Sequence, residues 1–283
     1  MIIAISAGHY LGTSGKRVAK QLDPSETREW TLNARIAEYV EKLLAAYKDV
    51  EVLRLDDRTG KTAITIQQRA KIANQKKATV YIAIHHNAGI NLGSGGGTVV
   101  YHYPNAMRKA SAQKLYNRVV GLTGLKGNRS TPVKETKTLY EIYAPNMPAF
   151  LIENGFMDSR TDVPIILSDA HAQKTAQGIV NFLVAEYGLK QKEDADLQPI
   201  VLNPYPVPTR TLQKKLVKMK GDDVKWVQYE LNQHINAKLE VDGIFGKDTE
   251  AAVINLQKSS KGKLEVDGVV GKMTRAYLLE KRA

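Results

Sequence analysis

None of the 283 residues is a cysteine. That absence excludes disulfides, thiolate nucleophiles and every zinc site built on thiolates. Any metal is left to histidine and carboxylate. No run of about 18 apolar residues occurs, so no transmembrane helix and no stable membrane association are expected. There is no block of five like charges and no nucleic-acid-binding motif, which turns the reading away from nucleic acid. The opening residues 1–9 are apolar but short and have no basic segment in front of them. No signal peptide is therefore expected, and the chain reads as made in the cytoplasm.

What is present is ordinary for a globular chain, with 43% hydrophobic and 25% charged residues. The length accommodates one large domain and one small one. Net charge is +12, with most of the excess in the first two-thirds. Such a surface attracts polyanions: nucleic acid, anionic lipid or the anionic polymers of a cell wall.

Residues 79–85 read as a buried strand that runs straight into His85 and His86. In open α/β sheets the carboxyl edge is where ligands bind, and neutral imidazole is the commonest metal ligand. Residues 2–7 form a second short strand ending at Gly8-His9, where glycine lets the chain turn off the sheet. Ser25 is placed to cap a helix in which Glu29 falls in the first turns and Leu32, Ile36, Val40 and Leu44 keep the helical period. Residues 50–55 and 98–103 alternate as strands, and residues 63–76, 106–123 and 170–187 read as helices. Residues 139–143 read as a short strand. Residues 149–152 are a buried strand ending at Glu153. Strands alternating with helices predict an α/β fold: a twisted, mostly parallel sheet flanked by helices. The glycine-rich stretch 89–97 lacks the ending of a phosphate-binding loop and reads as a flexible substrate rim.

Charges and then prolines cluster over residues 190–211, a linker by composition. The predicted domains are therefore 1–189 and 212–283. Within the second, Lys238-Leu239-Glu240-Val241-Asp242-Gly243 recurs 25 residues on as Lys263-Leu264-Glu265-Val266-Asp267-Gly268. Each copy continues to Gly-Lys and then Thr. Two copies fit a small pseudo-symmetric helical domain, with Asp-Gly turns and a threonine that caps or opens each following helix.

Four residues thus arrive at one sheet edge: His9, Glu29, His85 and Glu153. Two histidines and one carboxylate are the ligand set of many catalytic zinc sites. A further carboxylate on its own strand end, Glu153, can move protons. Each residue has a plainer reading as well: His9 as a loop histidine, Glu29 as a solvated helix residue, the His85–His86 pair as a polar strand cap. Adjacent side chains on a strand face opposite ways, so one of His85 and His86 binds metal, and spacing does not choose between them. His102, His171 and His234 read as structural.

Gly8-His9, Glu29 with Leu32-Asn33, Gln68-Arg69-Ala70, Ile84-His85-His86-Asn87-Ala88 and Leu151-Ile152-Glu153-Asn154-Gly155-Phe156 resemble the zinc-dependent N-acetylmuramoyl-L-alanine amidases of the amidase-3 type over about residues 2–187. The resemblance implies Zn2+ held by His9, Glu29 and His85, with Glu153 as the catalytic acid–base and His86 on a non-ligand position. It implies hydrolysis of the amide between N-acetylmuramic acid and L-alanine of peptidoglycan by zinc-activated water. Tyr10 departs from the glycine common there. Residues 212–280, with Gly221-Asp222-Asp223-Val224, Val227-Gln228, Asp242-Gly243-Ile244-Phe245-Gly246 and Leu256-Gln257, resemble a peptidoglycan-binding domain of the three-helix type. The expected partners are peptidoglycan and anionic wall polymers. The expected role is an endolysin, of phage type, or an autolysin that reaches the wall after release through a pore or by lysis. The rivals are a zinc peptidase or deacetylase on wall fragments and a non-catalytic wall-binding protein.

Overall fold

The structure is a computed structural model that describes residues 1–192, 203, 205, 207–208 and 210–280. The chain divides into two compact units. The first carries a six-stranded sheet in the order β2-β1-β3-β6-β4-β5. Its strands are β1 (Ile2–Ala7), β2 (Glu51–Arg54), β3 (Val80–Asn87), β4 (Thr98–His102), β5 (Val133–Glu135) and β6 (Ala149–Phe156). β1, β2, β3 and β6 are parallel; β4 runs antiparallel to β6, and β5 pairs parallel with β4.

Central strands of such a sheet are covered on both faces and read as continuous apolar runs, as Val80–Ile84 and Ala149–Ile152 do. On one face Ile3, Ile5, Ile82, Ile84, Phe150 and Ile152 pack with α1 (Glu29–Leu44), α3 (Ala106–Thr123) and α6 (Asp169–Tyr187). On the other, Ala4, Tyr81, Ala83, Ala149 and Leu151 pack with α2 (Ile66–Gln75) and α4 (Tyr140–Tyr143). A short helix, α5 (Val163–Ile166), follows β6.

Three local expectations are corrected. Residues 139–143 form the single helical turn α4, not a strand. Ser25 does not cap α1: it lies in a turn around Asp23, whose carboxylate accepts from the Ser25 and Thr27 amides, and α1 begins at Glu29 with Arg28 as cap residue. The 89–97 stretch is tied down. Asp158 Oδ2 accepts from the amides of Gly89, Ile90 and Asn91 at 2.8–2.9 Å. Asp162 takes the Gly97 amide at 2.8 Å, and Thr161 takes that of Gly95 at 2.9 Å. The loop's donors are spent on the protein itself, so it is a fixed rim.

The 190–211 linker lies mostly outside the described residues. Residues 190–192 are bonded to the end of α1's loop, with Lys48 N donating to Lys190 O and Lys192 N to Ala46 O. The second unit holds α7 (Asp222–Ile235), α8 (Lys247–Ser259) and α9 (Lys272–Glu280) around Trp226, Val227, Leu231, Phe245, Val253, Leu256 and Leu278. Its repeat is a repeat of hydrogen bonds. Gln228 Nε2 donates to Asp242 Oδ1 at 2.7 Å, and its Oε1 accepts from Gly243 N at 2.8 Å. Gln257 does the same to Asp267 and Gly268 at 2.7 and 2.9 Å. The threonines do not cap the helices. Thr249 and Thr274 bond back to the carbonyls of Ile244 and Val269, and the cap residue of α8 is Gly246.

Candidate metal centre

β1 and β3 lie side by side, with Ala7 paired to Ile84, so the residues just beyond them meet. Gly8 donates its amide to Ile84 O at 2.9 Å. A Cβ at Gly8 would fall 2.1 Å from Cε1 of the His85 ring. The glycine therefore makes room for the imidazole, and it is His9 that turns the chain, at φ 68°. A non-glycine residue in the left-handed region is costly and needs support. Arg69, buried on α2, supplies it: Nη1 donates to Ala7 O at 2.6 Å and Nη2 to His9 O at 2.8 Å.

Glu29 opens α1, where the helix N-terminus favours a carboxylate. It is fully buried. Its Oε1 is 3.2 Å from His85 Nδ1 and 3.2 Å from the His86 amide, and its Oε2 is 3.3 Å from His9 Nε2. Oε2 accepts no hydrogen bond. One donor atom each from His9, Glu29 and His85 lies within 4.8 Å of the others. Burial alone would raise the Glu29 pKa; the His85 and His9 imidazoles more than offset it and hold the group well below the ordinary range. A buried carboxylate whose two oxygens each face one imidazole nitrogen, with Oε2 accepting no hydrogen bond, is part of a donor set that fits a divalent metal, and its N/O composition suits zinc.

The other ring nitrogen of His85 is also engaged. Nε2 is 3.0 Å from Glu141 Oε2. Glu141 is buried on α4, and its Oε1 accepts from Ser6 Oγ at 2.6 Å and Tyr81 OH at 2.7 Å. Ser6 in turn accepts from Arg69 Nη1 at 2.8 Å. A carboxylate behind a ligating histidine fixes ring orientation and raises ligand basicity. Burial would raise Glu141, but His85 above all holds it down at about 2. His85 is pushed down by burial and up by Glu141 and Glu29, and stands at about 10. A metal at this site must displace that proton. The sequence reading missed Glu141. Its only signal was an acidic residue inside an apolar stretch.

His86 shares the opposite face of β3 with Ile82 and Ile84. Its Nδ1 is 2.7 Å from Asn33 Oδ1, which makes the ring nitrogen the donor and leaves Asn33 Nδ2 to donate to Gly8 O at 3.1 Å and Glu29 Oε1 at 3.4 Å. His86 is thus outside the donor cluster and braces Glu29. Burial, with His171 nearby, lowers its pKa to about 3.

Glu153 pairs in register with His85 on one side and Val99 on the other. Both it and His85 lie within their strands rather than after them. Glu153 Oε2 is buried without a hydrogen-bond partner. Burial pushes the group up to about 7; His85 opposes the shift and Glu29 adds to it. A carboxyl poised there, one strand from a member of the donor cluster, can accept a proton and return it near neutrality. The four predicted residues therefore stand together: three as the donor cluster and Glu153 beside it.

The sequence profile of the N-acetylmuramoyl-L-alanine amidase family matches residues 3–185, and that of the peptidoglycan binding domain matches residues 220–278. The chain is 27% identical over 195 residues to the N-acetylmuramoyl-L-alanine amidase CwlM of Bacillus licheniformis, covering 68% of this chain and 71% of that protein. It is 26% identical over 192 residues to the sporulation-specific N-acetylmuramoyl-L-alanine amidase of Bacillus subtilis, covering 65% and 71%. Among solved structures, it resembles the N-acetylmuramoyl-L-alanine amidase of Clostridium difficile 630 with a TM-score of 0.58 and 27% identity, over 66% of this chain and 96% of that one. The catalytic domain of CwlV from Bacillus (Paenibacillus) polymyxa var. colistinus gives the same TM-score at 25% identity, over 67% and 99%.

Proposed function

The chain belongs to the N-acetylmuramoyl-L-alanine amidase family, and from that premise we propose how its residues divide the work. The enzyme hydrolyses the amide between N-acetylmuramic acid and L-alanine in peptidoglycan. His9, Glu29 and His85 are the residues that would hold a zinc ion. When bound, zinc supplies Lewis-acid activation of water and of the scissile carbonyl. Glu153 takes the proton from the attacking water and delivers it to the departing amine. Its elevated pKa suits both directions of transfer. Glu141 and Arg69 keep His85 and the His9 turn in place, and His86 with Asn33 keeps Glu29 in place. The observation that carries this reading is the buried Glu29 carboxylate held between two imidazoles, Oε1 3.2 Å from His85 and Oε2 3.3 Å from His9, with Glu153 one strand away.

The C-terminal unit belongs to the peptidoglycan binding side of the molecule. It presents a cleft of about 460 Å³ lined by Lys214, Lys218, Gln228, Asp242, Ile244 and Thr249, among other residues. Holding the catalytic unit at its polymer raises the effective substrate concentration, and the net charge of +12 favours an anionic wall. We read the biological role as wall lysis, by an endolysin or an autolysin; a holin-like small membrane protein encoded beside it would support the phage form.

Product analysis on purified walls tests the reaction. New L-alanine amino termini, with no new reducing sugar ends, are expected. New termini within the stem peptide would instead mark a peptidase, and free amino sugars a deacetylase. Glu153→Gln should retain metal while turnover falls about 10²–10⁴-fold. A variant of undiminished turnover would remove Glu153 from the reaction.

A further inference from the structure

The loop between α3 and β5 carries a cation with no hydrogen-bond or ion-pair partner among the described residues. Arg129 makes no hydrogen bond or ion pair with any described residue, and its Nε is buried. Its guanidinium carbon lies over the Phe156 ring, 4.5 Å from the centroid. Phe156 is the last residue of β6, three positions beyond Glu153. Tyr101 of β4 stands on the same face as Glu153, two residues from Val99, its neighbour across the strands. The Tyr101 hydroxyl is pushed up by burial and by Glu153 and pulled back by Arg129, so carboxylate and guanidinium act on one hydroxyl.

The loop is fixed in this place by close backbone packing. A Cβ at Gly97 would fall 2.5 Å from Gly127 Cα, and Asn128 Oδ1 accepts the Gly96 amide at 3.1 Å. Lys16 is already 3.8 Å from Glu29 Oε2, and Arg69 is committed to the carbonyls of Ala7 and His9. Arg129 has no such commitment.

We propose that Arg129 is an anion subsite on the Glu153 side of the catalytic unit and receives a carboxylate of the substrate's stem peptide. The inference rests on the amidase reading above. A guanidinium set over an aromatic ring still has N–H groups to offer a planar, bidentate acceptor. A buried N–H without an acceptor is unfavourable, and a carboxylate oxygen arriving edge-on relieves it. Chemistry says where that carboxylate comes from. The lactyl carboxyl of muramic acid is consumed in the scissile amide, so the free carboxylates belong to the peptide.

The test uses the full, metal-loaded chain and two muramyl tripeptides that differ only in a free or amidated α-carboxylate on the second residue. Wild type should prefer the free acid. Arg129→Ala should raise KM for the free acid at least tenfold, leave kcat within about twofold, and leave the amidated substrate unchanged. Arg129→Lys should recover part of the preference. Equal losses on both substrates, or no preference in wild type, would overturn the proposal. Failure of wild type to cut either at the lactyl amide would instead overturn the amidase reading. Thermal unfolding of each variant separates a folding defect from a binding one.

Discussion

Glu141 and His85 are 56 residues apart in sequence and 3.0 Å apart in space, Oε2 to Nε2, with the opposite nitrogen of the same ring 3.2 Å from Glu29. One imidazole thus joins two buried carboxylates, only one of which belongs to the donor cluster.

Glu141→Gln should keep the shape of this arrangement and lose its charge. Zinc affinity should fall about 10- to 100-fold, read by competition with a chelator of known affinity. An unchanged dissociation constant would show that Ser6 and Tyr81, not His85, are what Glu141 serves.

The two adjacent histidines should separate cleanly. His85→Ala should abolish metal binding. His86→Ala should leave one metal per chain, since His86 faces Asn33 from the other side of β3, while stability falls about 1–3 kcal/mol from the unpaired Asn33 and the space left. Metal analysis with a thermal melt checks both. Metal lost with His86→Ala and retained with His85→Ala would reverse the ligand assignment.

Acid should weaken the catalytic unit through His171. Burial depresses its pKa to about 4, against an ordinary value of 6.5, so between those values the unfolded chain binds the extra proton. The stability due to neutral His171 is complete above about pH 6.5 and is lost as pH falls towards 4, by roughly 3 kcal/mol for a single group. His171→Gln should make the fall of the denaturant midpoint over that window shallower by this one group's share, His86 still titrating in it. An equally steep profile in the variant would assign the effect elsewhere.

Gln228→Ala should strike the C-terminal unit alone. It removes the acceptor of the Gly243 amide and the donor to Asp242, and about 1–3 kcal/mol should be lost. In calorimetry the transition of that unit should shift down while the other holds. A matching shift for Gln257→Ala would confirm that the two copies carry equivalent loads.

Much of the site is legible in the sequence because strand ends advertise themselves. Apolar runs that stop at His85 and Glu153, and a glycine before His9, place three residues on one edge before any coordinates are known. Glu29 is legible through the helix that follows it. What stays hidden depends on long-range contact. Leu139-Tyr140-Glu141-Ile142-Tyr143 alternates like a strand, yet one turn of helix delivers Glu141 beneath His85. The role of His86 depends on Asn33, 53 residues away. The 89–97 stretch looks loose because its acceptors, Asp158, Thr161 and Asp162, lie more than 60 residues on.

That last arrangement bears on how the cleft can be altered. The segment from Asp158 to Asp162 collects the amides of the rim loop, and it also steadies β6, because Asp162 Oδ2 accepts from Phe156 N at 3.0 Å. Rim and β6 therefore form one hydrogen-bonded unit. Grafting the 89–97 loop of a relative onto this chain without its 158–162 counterpart would strand the donors of the new loop. An engineer seeking a new wall specificity has to move the two segments together.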